Sequence, residues 1–186
     1  MLIVAGMTGS CQDDEHFTTS PMDCLAFSSD SVKMDTVFST VGSRTYDFWV
    51  YNHGNRSIRL SSVYLRMGNQ TGFRVNVDGI YLDNALGSVA TGLEVRHGDS
   101  LRVFVELTAP CNMKLEPQLV EDQLVFTLES GVQQQVTLCG YAWDALLVDS
   151  IIVSRDTLIC SQQPVVIRQG LRVDSNATLS LKNTTL

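Results

Sequence analysis

Hydrophobic and polar residues alternate with a period of two through the central part of the chain. The alternation is clearest in 46–51 and in 101–107. Because successive side chains of a β-strand point to opposite faces, this period predicts strands that bury one face in a core. In the first segment, the buried face would consist of Tyr46, Phe48 and Val50.

The spacing of these strands predicts the fold class. Turns rich in glycine, asparagine, serine and aspartate separate seven or eight short strands at intervals of about ten residues. No segment has a convincing helical period. We therefore expect an all-β fold, with an antiparallel two-sheet sandwich over 24–144.

Strand pairing can be predicted only for neighbours in the chain. Residues 43–51 and 58–65 flank a loop rich in glycine and asparagine, and 124–128 and 136–138 flank a shorter one. Both pairs are predicted to form hairpins. A turn-rich interruption divides 25–38, so this first strand is expected to bridge the two sheets.

The order of several short motifs resembles the Ig-like domains of the Hydin and major-sperm-protein type. The matching features are Asn52-His53-Gly54-Asn55, Phe73 with Val75, Gly98 to Leu101, Pro110, and the closing run Leu138 to Ala142. The resemblance implies an Ig-like domain with an interaction role. It brings no catalytic residues to this chain.

Composition limits the classes of partner. The chain has 186 residues, 44% of them hydrophobic, which is enough for a sizeable core. Its formal net charge is -7, and its 13 Lys and Arg residues are scattered. We therefore expect no nucleic-acid partner and no polybasic contact with anionic lipid.

The first eleven residues have the pattern of a targeting segment. Residues 1–10 are apolar or small and directly precede Cys11, as in the last part of a secretory signal peptide. The usual basic start is missing, which suggests that translation begins upstream. The alternative is a buried first strand.

The residues around Cys11 carry a second resemblance. Gly9-Ser10-Cys11 followed by Gln12-Asp13-Asp14-Glu15 resembles the lipobox and acidic export signal of Bacteroidetes surface lipoproteins, although Thr8 stands where leucine is commoner. The resemblance implies a diacylated Cys11, an outer-membrane anchor and exposure at the cell surface, with 12–23 as a tether. The alternative is a solvated acidic segment behind an ordinary cysteine.

The remaining cysteines and the histidines suggest no reactive site. Disulfides among Cys24, Cys111, Cys139 and Cys160 are compatible with export, and a buried, unpaired state suits Cys139. His16, His53 and His97 lie in turns or the tether, without metal-ligand spacing. No nucleophile elbow, phosphate loop or dinucleotide fingerprint occurs. We expect no enzyme activity, no metal and no cofactor.

The outer face of the first clear strand is the candidate binding site. It carries Asp47, Trp49 and Tyr51, and exposed aromatic rings are suited to sugar rings or to a protein partner. The alternative is that another part of the chain, such as the C-terminal segment, covers this face. Trp143 is expected to pack where that segment begins.

Residues 145–186 differ from the preceding part of the chain in strand length. The pattern predicts strands of only three to five residues between polar turns. The run from Gly170 to Leu179 resembles the opening coils of a right-handed parallel β-helix. Such solenoids need about three stacked repeats. Since at most two are present, we expect the native chain to continue past Leu186. The alternative is an extra hairpin packed on the sandwich.

These observations favour a non-catalytic surface lipoprotein whose Ig-like domain is a spacer and a binding module for protein or glycan. A second hypothesis is the ancillary part of a carbohydrate-active protein, with sugar binding or lyase activity in a missing C-terminal β-helix. A third is a fimbrial or other assembly subunit, which would need an open groove or a donated strand.

Overall fold

The computed structural model describes residues 16–82 and 88–186, and its regular structure consists of strands. In chain order they are β1 (Ala26–Phe27), β2 (Ser31–Phe38), β3 (Tyr46–Tyr51), β4 (Ile58–Leu65), β5 (Phe73–Val77), β6 (Ile80–Tyr81), β7 (Val89–Ala90), β8 (Leu93–Val95), β9 (Ser100–Leu107), β10 (Gln118–Leu128), β11 (Gln133–Trp143), β12 (Leu146–Val153), β13 (Thr157–Cys160), β14 (Val165–Val173) and β15 (Leu179–Lys182).

Two sheets form the sandwich, which confirms the predicted all-β fold class. The five-stranded sheet has the order β1-β3-β9-β5-β6, and the six-stranded sheet has the order β2-β11-β10-β4-β7, with β8 also beside β4. All pairs within them are antiparallel except β2 with β11, which is parallel. Because β1 pairs with β3 and β2 with β11, the interrupted first strand joins both sheets, as predicted.

Alternate residues of the strands meet between the two sheets and form one hydrophobic core. Phe126 is its largest fully buried side chain, and its ring centroid lies 5.2 Å from that of Phe27. Tyr46 packs at the edge of this core, while Phe48 and Val50 are buried in it. The period of two therefore predicted correctly which side chains of β3 face the core.

One predicted hairpin is wrong and the other is confirmed. β3 and β4 lie in different sheets, so the loop between them crosses the sandwich. Asn52 holds this crossing: it is fully buried, and its Nδ2 donates to the carbonyls of Arg56 at 2.8 Å and Val95 at 2.9 Å. The glycine and asparagine residues predicted a loop here, but they do not indicate whether the chain returns to the same sheet or crosses to the other. β10 and β11 do form the second hairpin.

From His16 onward, the predicted tether is attached to the sandwich. The backbone N–H of Thr18 donates to the carbonyl of Ser57 at 2.9 Å, and that of Ser57 donates to the carbonyl of His16 at 3.2 Å. The Arg59 guanidinium lies 3.9 Å from the ring centroid of Phe17. The chain thus enters at the end of the sandwich where β4 begins.

The opposite end is closed by Asp144, which directly follows β11. Its buried carboxylate accepts hydrogen bonds from Ser39 Oγ at 2.5 Å and from the backbone N–H groups of Asn112 at 3.1 Å and Met113 at 2.7 Å. Burial by itself would raise the pKa of Asp144, but these hydrogen bonds outweigh it and lower the pKa. The Asp144 carboxylate is therefore charged when it holds the 110–115 loop.

Beyond Asp144 the strand pairing changes from antiparallel to parallel. β12 pairs with β14, and β13 pairs with β15, both in parallel. A hairpin cannot produce a parallel pair, so the alternative of an extra hairpin is wrong. We call 146–186 the extension, 146–164 its first coil and 165–186 its second coil.

Candidate functional site

The outer face of the five-stranded sheet contains the predicted binding residues. Asp47 and Trp49 are exposed, Trp49 by 38%, and Tyr51 is half-buried. Phe48 and Val50, between them, point into the core. Among the described residues, no segment covers Asp47 and Trp49, so the alternative in which the C-terminal segment covers this face is wrong. That the face binds a ligand remains a prediction.

Three rings form a row along β3 and the loop after it. The ring centroids of Trp49 and Tyr51 are 6.5 Å apart, with 15° between the planes. Those of Tyr51 and His53 are 5.4 Å apart, with 13° between the planes. Residues two apart in a strand share a face, which explains why Trp49 and Tyr51 line up, and the loop places His53 beside them.

Arg102 extends this row across the neighbouring strand β9. Its Nε donates to Asp47 Oδ2 at 3.0 Å, and its guanidinium carbon lies 5.4 Å from the ring centroid of Trp49 and 4.8 Å from that of Phe104. A cation over aromatic rings is attracted by their negative faces. We call His53, Tyr51, Trp49, Arg102 and Phe104 the aromatic surface.

A small pocket with polar and aromatic side chains in its lining adjoins the aromatic surface at Phe104. It has a volume of about 140 Å³ and is lined by Thr45, Arg74, Asn76, Tyr81, Phe104 and Glu106. Arg74 Nε donates to the Tyr81 hydroxyl at 2.6 Å, and Thr45 Oγ1 donates to Glu106 Oε1 at 2.6 Å. These contacts hold four polar side chains in place around an aromatic wall.

The sequence identified β3 as the candidate site but missed its continuation. Arg102, Phe104 and Glu106 alternate with buried residues in 101–107, so their place on an outer face was visible. The position of Arg102 beside Trp49 and of Phe104 beside Asp47 was not visible, because it depends on the pairing of β3 with β9. A prediction of strand order would have been needed to find it.

Trp143 lies at the junction of the sandwich and the extension, as predicted. Its ring centroid is 6.3 Å from that of Phe38, and its Nε1 donates to the Leu115 carbonyl at 2.6 Å. Both rings line a largely apolar groove of about 330 Å³, together with Pro164 and Val165 from the extension.

The structure describes the four later cysteines and the candidate metal ligands, but not the residues around Cys11. Cys24, Cys111, Cys139 and Cys160 are unpaired, with Cys139 half-buried. Among the residues for which the structure gives positions, no three His, Cys, Asp or Glu side chains are grouped to hold a metal ion. Within the described ranges, no helix is long and apolar enough to cross a membrane. Cys11 and the predicted export signal, Gln12 to Glu15, lie outside the described residues.

Solved structures that are similar to this chain share little sequence with it. No protein-family profile and no curated protein matches the chain. The N-terminal domain of PorA is 13% identical over 64% of this chain and 97% of that domain, with a TM-score of 0.41. The ASH / PapD-like domain of human CEP192 is 12% identical over 75% of this chain and 99% of that domain, with a TM-score of 0.39.

A third solved structure, a family 123 glycoside hydrolase from Clostridium perfringens, is 7% identical, with a TM-score of 0.40. The match covers 66% of this chain and 26% of that enzyme, so the chain spans about a quarter of the enzyme's length. Ig-like or PapD-like β-sandwich domains occur among the structural neighbours. At these TM-scores, the comparisons assign no function to the chain.

Proposed function

We propose that this chain is a non-catalytic glycan-binding module of an exported surface lipoprotein. The observation that carries the proposal is the exposed aromatic surface beside a pocket lined with polar side chains. Sugar rings present apolar C–H faces together with hydroxyl groups, so a site for them combines aromatic rings with a few fixed hydrogen-bonding groups. The aromatic surface supplies the rings, and Arg74, Asn76 and Glu106 supply the polar groups.

A glycan suits this site better than a protein for two reasons. The charges of the face balance, because Arg102 is paired with Asp47 and Arg74 shares its pocket with Glu106, so little net charge is available to steer a charged partner. The pocket is also small, about 140 Å³, whereas protein interfaces are centred on Trp, Tyr and Arg side chains that fill well-packed pockets.

The two ends of the sandwich support a spacer role. The N-terminal segment joins where β4 begins, and the extension leaves from the far end of β11. The eleven residues of β11 span about 35 Å. With acyl chains on Cys11 as the anchor, the sandwich would hold the extension at this distance from the membrane. The parallel pairs of the extension support the proposal that it begins a β-helix.

Tryptophan fluorescence tests glycan binding directly, because the chain has only Trp49 and Trp143. In a Trp143→Phe background, Trp49 is the sole reporter. We expect a saturable change in its emission with at least one member of a panel of soluble polysaccharides. Phe104→Ala and Arg74→Ala should each weaken binding roughly tenfold, the loss expected for one good contact.

Tyr141→Ala is the matched control, because Tyr141 is an exposed aromatic residue on the outer face of the other sheet. It should leave the binding unchanged. If no polysaccharide changes the emission of Trp49 while a protein captured from the cell surface does, the glycan proposal is wrong and the face is a protein interface.

The lipid anchor has a separate test in the intact mass of the protein purified from cell membranes. We expect the mass of a chain that begins at a diacylated Cys11, and loss from the membrane fraction in the variant Cys11→Ala. An unmodified Cys11 in the membrane-derived protein would contradict the anchor without affecting the glycan proposal.

A further inference from the structure

The outer face of the six-stranded sheet carries exposed apolar side chains. Leu119 of β10 lies opposite Tyr141 of β11, and the two are 56% and 48% exposed. Leu115 is also exposed, and its carbonyl accepts the hydrogen bond from Trp143, which shares the outer face with Tyr141. Neighbouring exposed apolar residues, unlike single ones, indicate a contact surface. We call Leu115, Leu119 and Tyr141 the apolar patch.

Two charged residues flank β11 in the next outward-facing row of this sheet. Cys139 lies beside Lys33 of β2 on one side and beside Glu121 of β10 on the other. Because neighbouring strands are about 4.8 Å apart, the positive and the negative residue lie at equal distances from β11. Both are exposed, and among the residues that the structure describes neither takes part in an ion pair. Their charges are therefore available to a partner.

This arrangement is complementary to itself. A two-fold rotation about an axis that runs along β11, just above the sheet, exchanges the two sides of that strand. It places Lys33 of each copy over Glu121 of the other copy. Packed sheets lie about 10 Å apart with their strands within about 30° of each other, and a lysine and a glutamate side chain together can span that distance.

The same rotation brings the apolar patches of two copies into contact. The two Tyr141 side chains meet near the axis. Leu119 of each copy lies over Thr36 of the other, because Thr36 and Leu119 are beside Tyr141 on opposite sides of β11. Each apolar patch is thus covered by uncharged side chains, which removes its apolar surface from water.

Other orientations of a second copy do not give these contacts. A two-fold axis across the strands would keep Lys33 over β2 and Glu121 over β10 of the other copy, so no oppositely charged pair would form. The axis along β11 also leaves the N-terminal ends of both sandwiches on the same side. That direction agrees with two chains anchored in one membrane.

We propose that the chain forms a symmetric dimer through the outer face of its six-stranded sheet. The apolar patch supplies the buried area, and the two Lys33–Glu121 pairs determine how the copies are oriented. The aromatic surface lies on the other sheet, so the aromatic surfaces of the two copies face away from each other. If these surfaces bind glycan as proposed above, the dimer is bivalent.

Sedimentation equilibrium of the full chain measures the dissociation constant of the dimer. Over roughly a hundredfold range of protein concentration, we expect a reversible shift from monomer to dimer. A reducing buffer excludes disulfides between copies, since the four described cysteines are unpaired within the chain. Leu119→Asp should weaken the dimer roughly tenfold or more, because a carboxylate would be placed in an apolar contact. Ile80→Asp is the matched control, as Ile80 is exposed on the other sheet.

Charge reversal tests the orientation of the copies. Lys33→Glu and Glu121→Lys should each weaken the dimer roughly tenfold, since each creates two pairs of like charges. An equimolar mixture of the two variants should dimerise about as well as the wild type, because both pairs in the mixed dimer have opposite charges again. An effect within one chain could not be restored by mixing. Lys182→Glu, with the same charge change on the extension, should have no effect.

Three outcomes would overturn the proposal: a chain that stays monomeric over the whole range, Leu119→Asp that dimerises like the wild type, or a mixture no better than either charge variant alone. Thermal unfolding of each variant verifies that the sandwich is intact. Glycan binding, measured by Trp49 fluorescence in dilute, monomeric protein, should be the same in the charge variants as in the wild type. Failure of one proposal therefore leaves the other standing.

Discussion

The sandwich and the extension are built from similar apolar strands but bury them to different degrees. In the sandwich, residues such as Val63, Val75 and Val103 have no exposed surface. In the extension, Ile152 and Leu158 are more than half exposed. The difference comes from topology, since the sandwich closes two sheets over each other while the extension only stacks one coil on another.

This contrast shows that hydrophobic content alone does not produce a core. A sheet with one apolar face is stable when a second layer covers that face. Among the described residues, no second sheet packs over Ile152 or Leu158 in the extension, and both stay more than half exposed. The sandwich is therefore the better packed of the two regions.

Matched leucine truncations should give the largest difference between the two regions. Leu138→Ala removes a fully buried side chain of the sandwich and should lower the free energy of unfolding by about 2–5 kcal/mol. Leu171→Ala removes a half-exposed side chain of the extension and should cost about 1 kcal/mol or less. Urea unfolding of the sandwich measures both. Equal losses would mean that the extension is as well packed as the sandwich.

Matched glycine substitutions should give the next largest effect. Gly72 has a φ of +84°, and a Cβ there would lie 2.2 Å from the Thr108 carbonyl oxygen. Gly72→Ala should cost roughly 2–3 kcal/mol, because backbone must move and the conformation is strained. Gly170 in β14 has open space around it. Gly170→Ala should be neutral within about 0.5 kcal/mol. A much larger loss of stability in Gly170→Ala would mean that Gly170 is closely packed, contrary to the open space around it.

Asp144 links the two regions, and its substitution should have a smaller effect that depends on pH. Asp144→Asn places an amide N–H₂ among N–H donors and should cost about 1–3 kcal/mol near neutral pH. Because the pKa of Asp144 is lowered in the folded state, its contribution is present above the ordinary value of 3.8 and is lost as the pH falls through the folded value. Unfolding curves from pH 7 to pH 2.5 measure this.

The wild type should therefore lose stability relative to Asp144→Asn in the acid range, and the two curves should converge there. Parallel curves over the whole range would mean that the carboxylate of Asp144 is not needed in its charged form.

The period of two made the strands predictable but not their partners. The β10–β11 hairpin followed from a tight turn at Ser130-Gly131 and was correct. The 43–51 and 58–65 hairpin failed because buried Asn52 turns the chain across the core, and the loop sequence is the same for either direction. The parallel pairing of β2 with β11 joins the two ends of the domain and has no local signal.

For the candidate site, too, the sequence predicted the outer face of one strand but not the neighbouring strand beside it. Alternation alone placed Trp49 and Tyr51 on an outer face. To find their neighbours Arg102 and Phe104, one needs the register of β3 with β9. To find the small pocket, one also needs the positions of β5 and β6. After Asp144 the sequence suggested short strands, and the structure shows that these strands pair in parallel. That they begin a β-helix remains a prediction.

Hydrogen exchange of the backbone amides tests the contrast between the regions most directly. Mass spectrometry of the exchanging protein at neutral pH resolves peptides from β9, β10 and β11 and peptides from β14 and β15. We predict slow exchange in the sandwich strands and exchange at least ten times faster in the second coil, because local opening there exposes little buried surface. Equal protection in both regions would contradict the account, since it would require the extension to be as well covered as the sandwich.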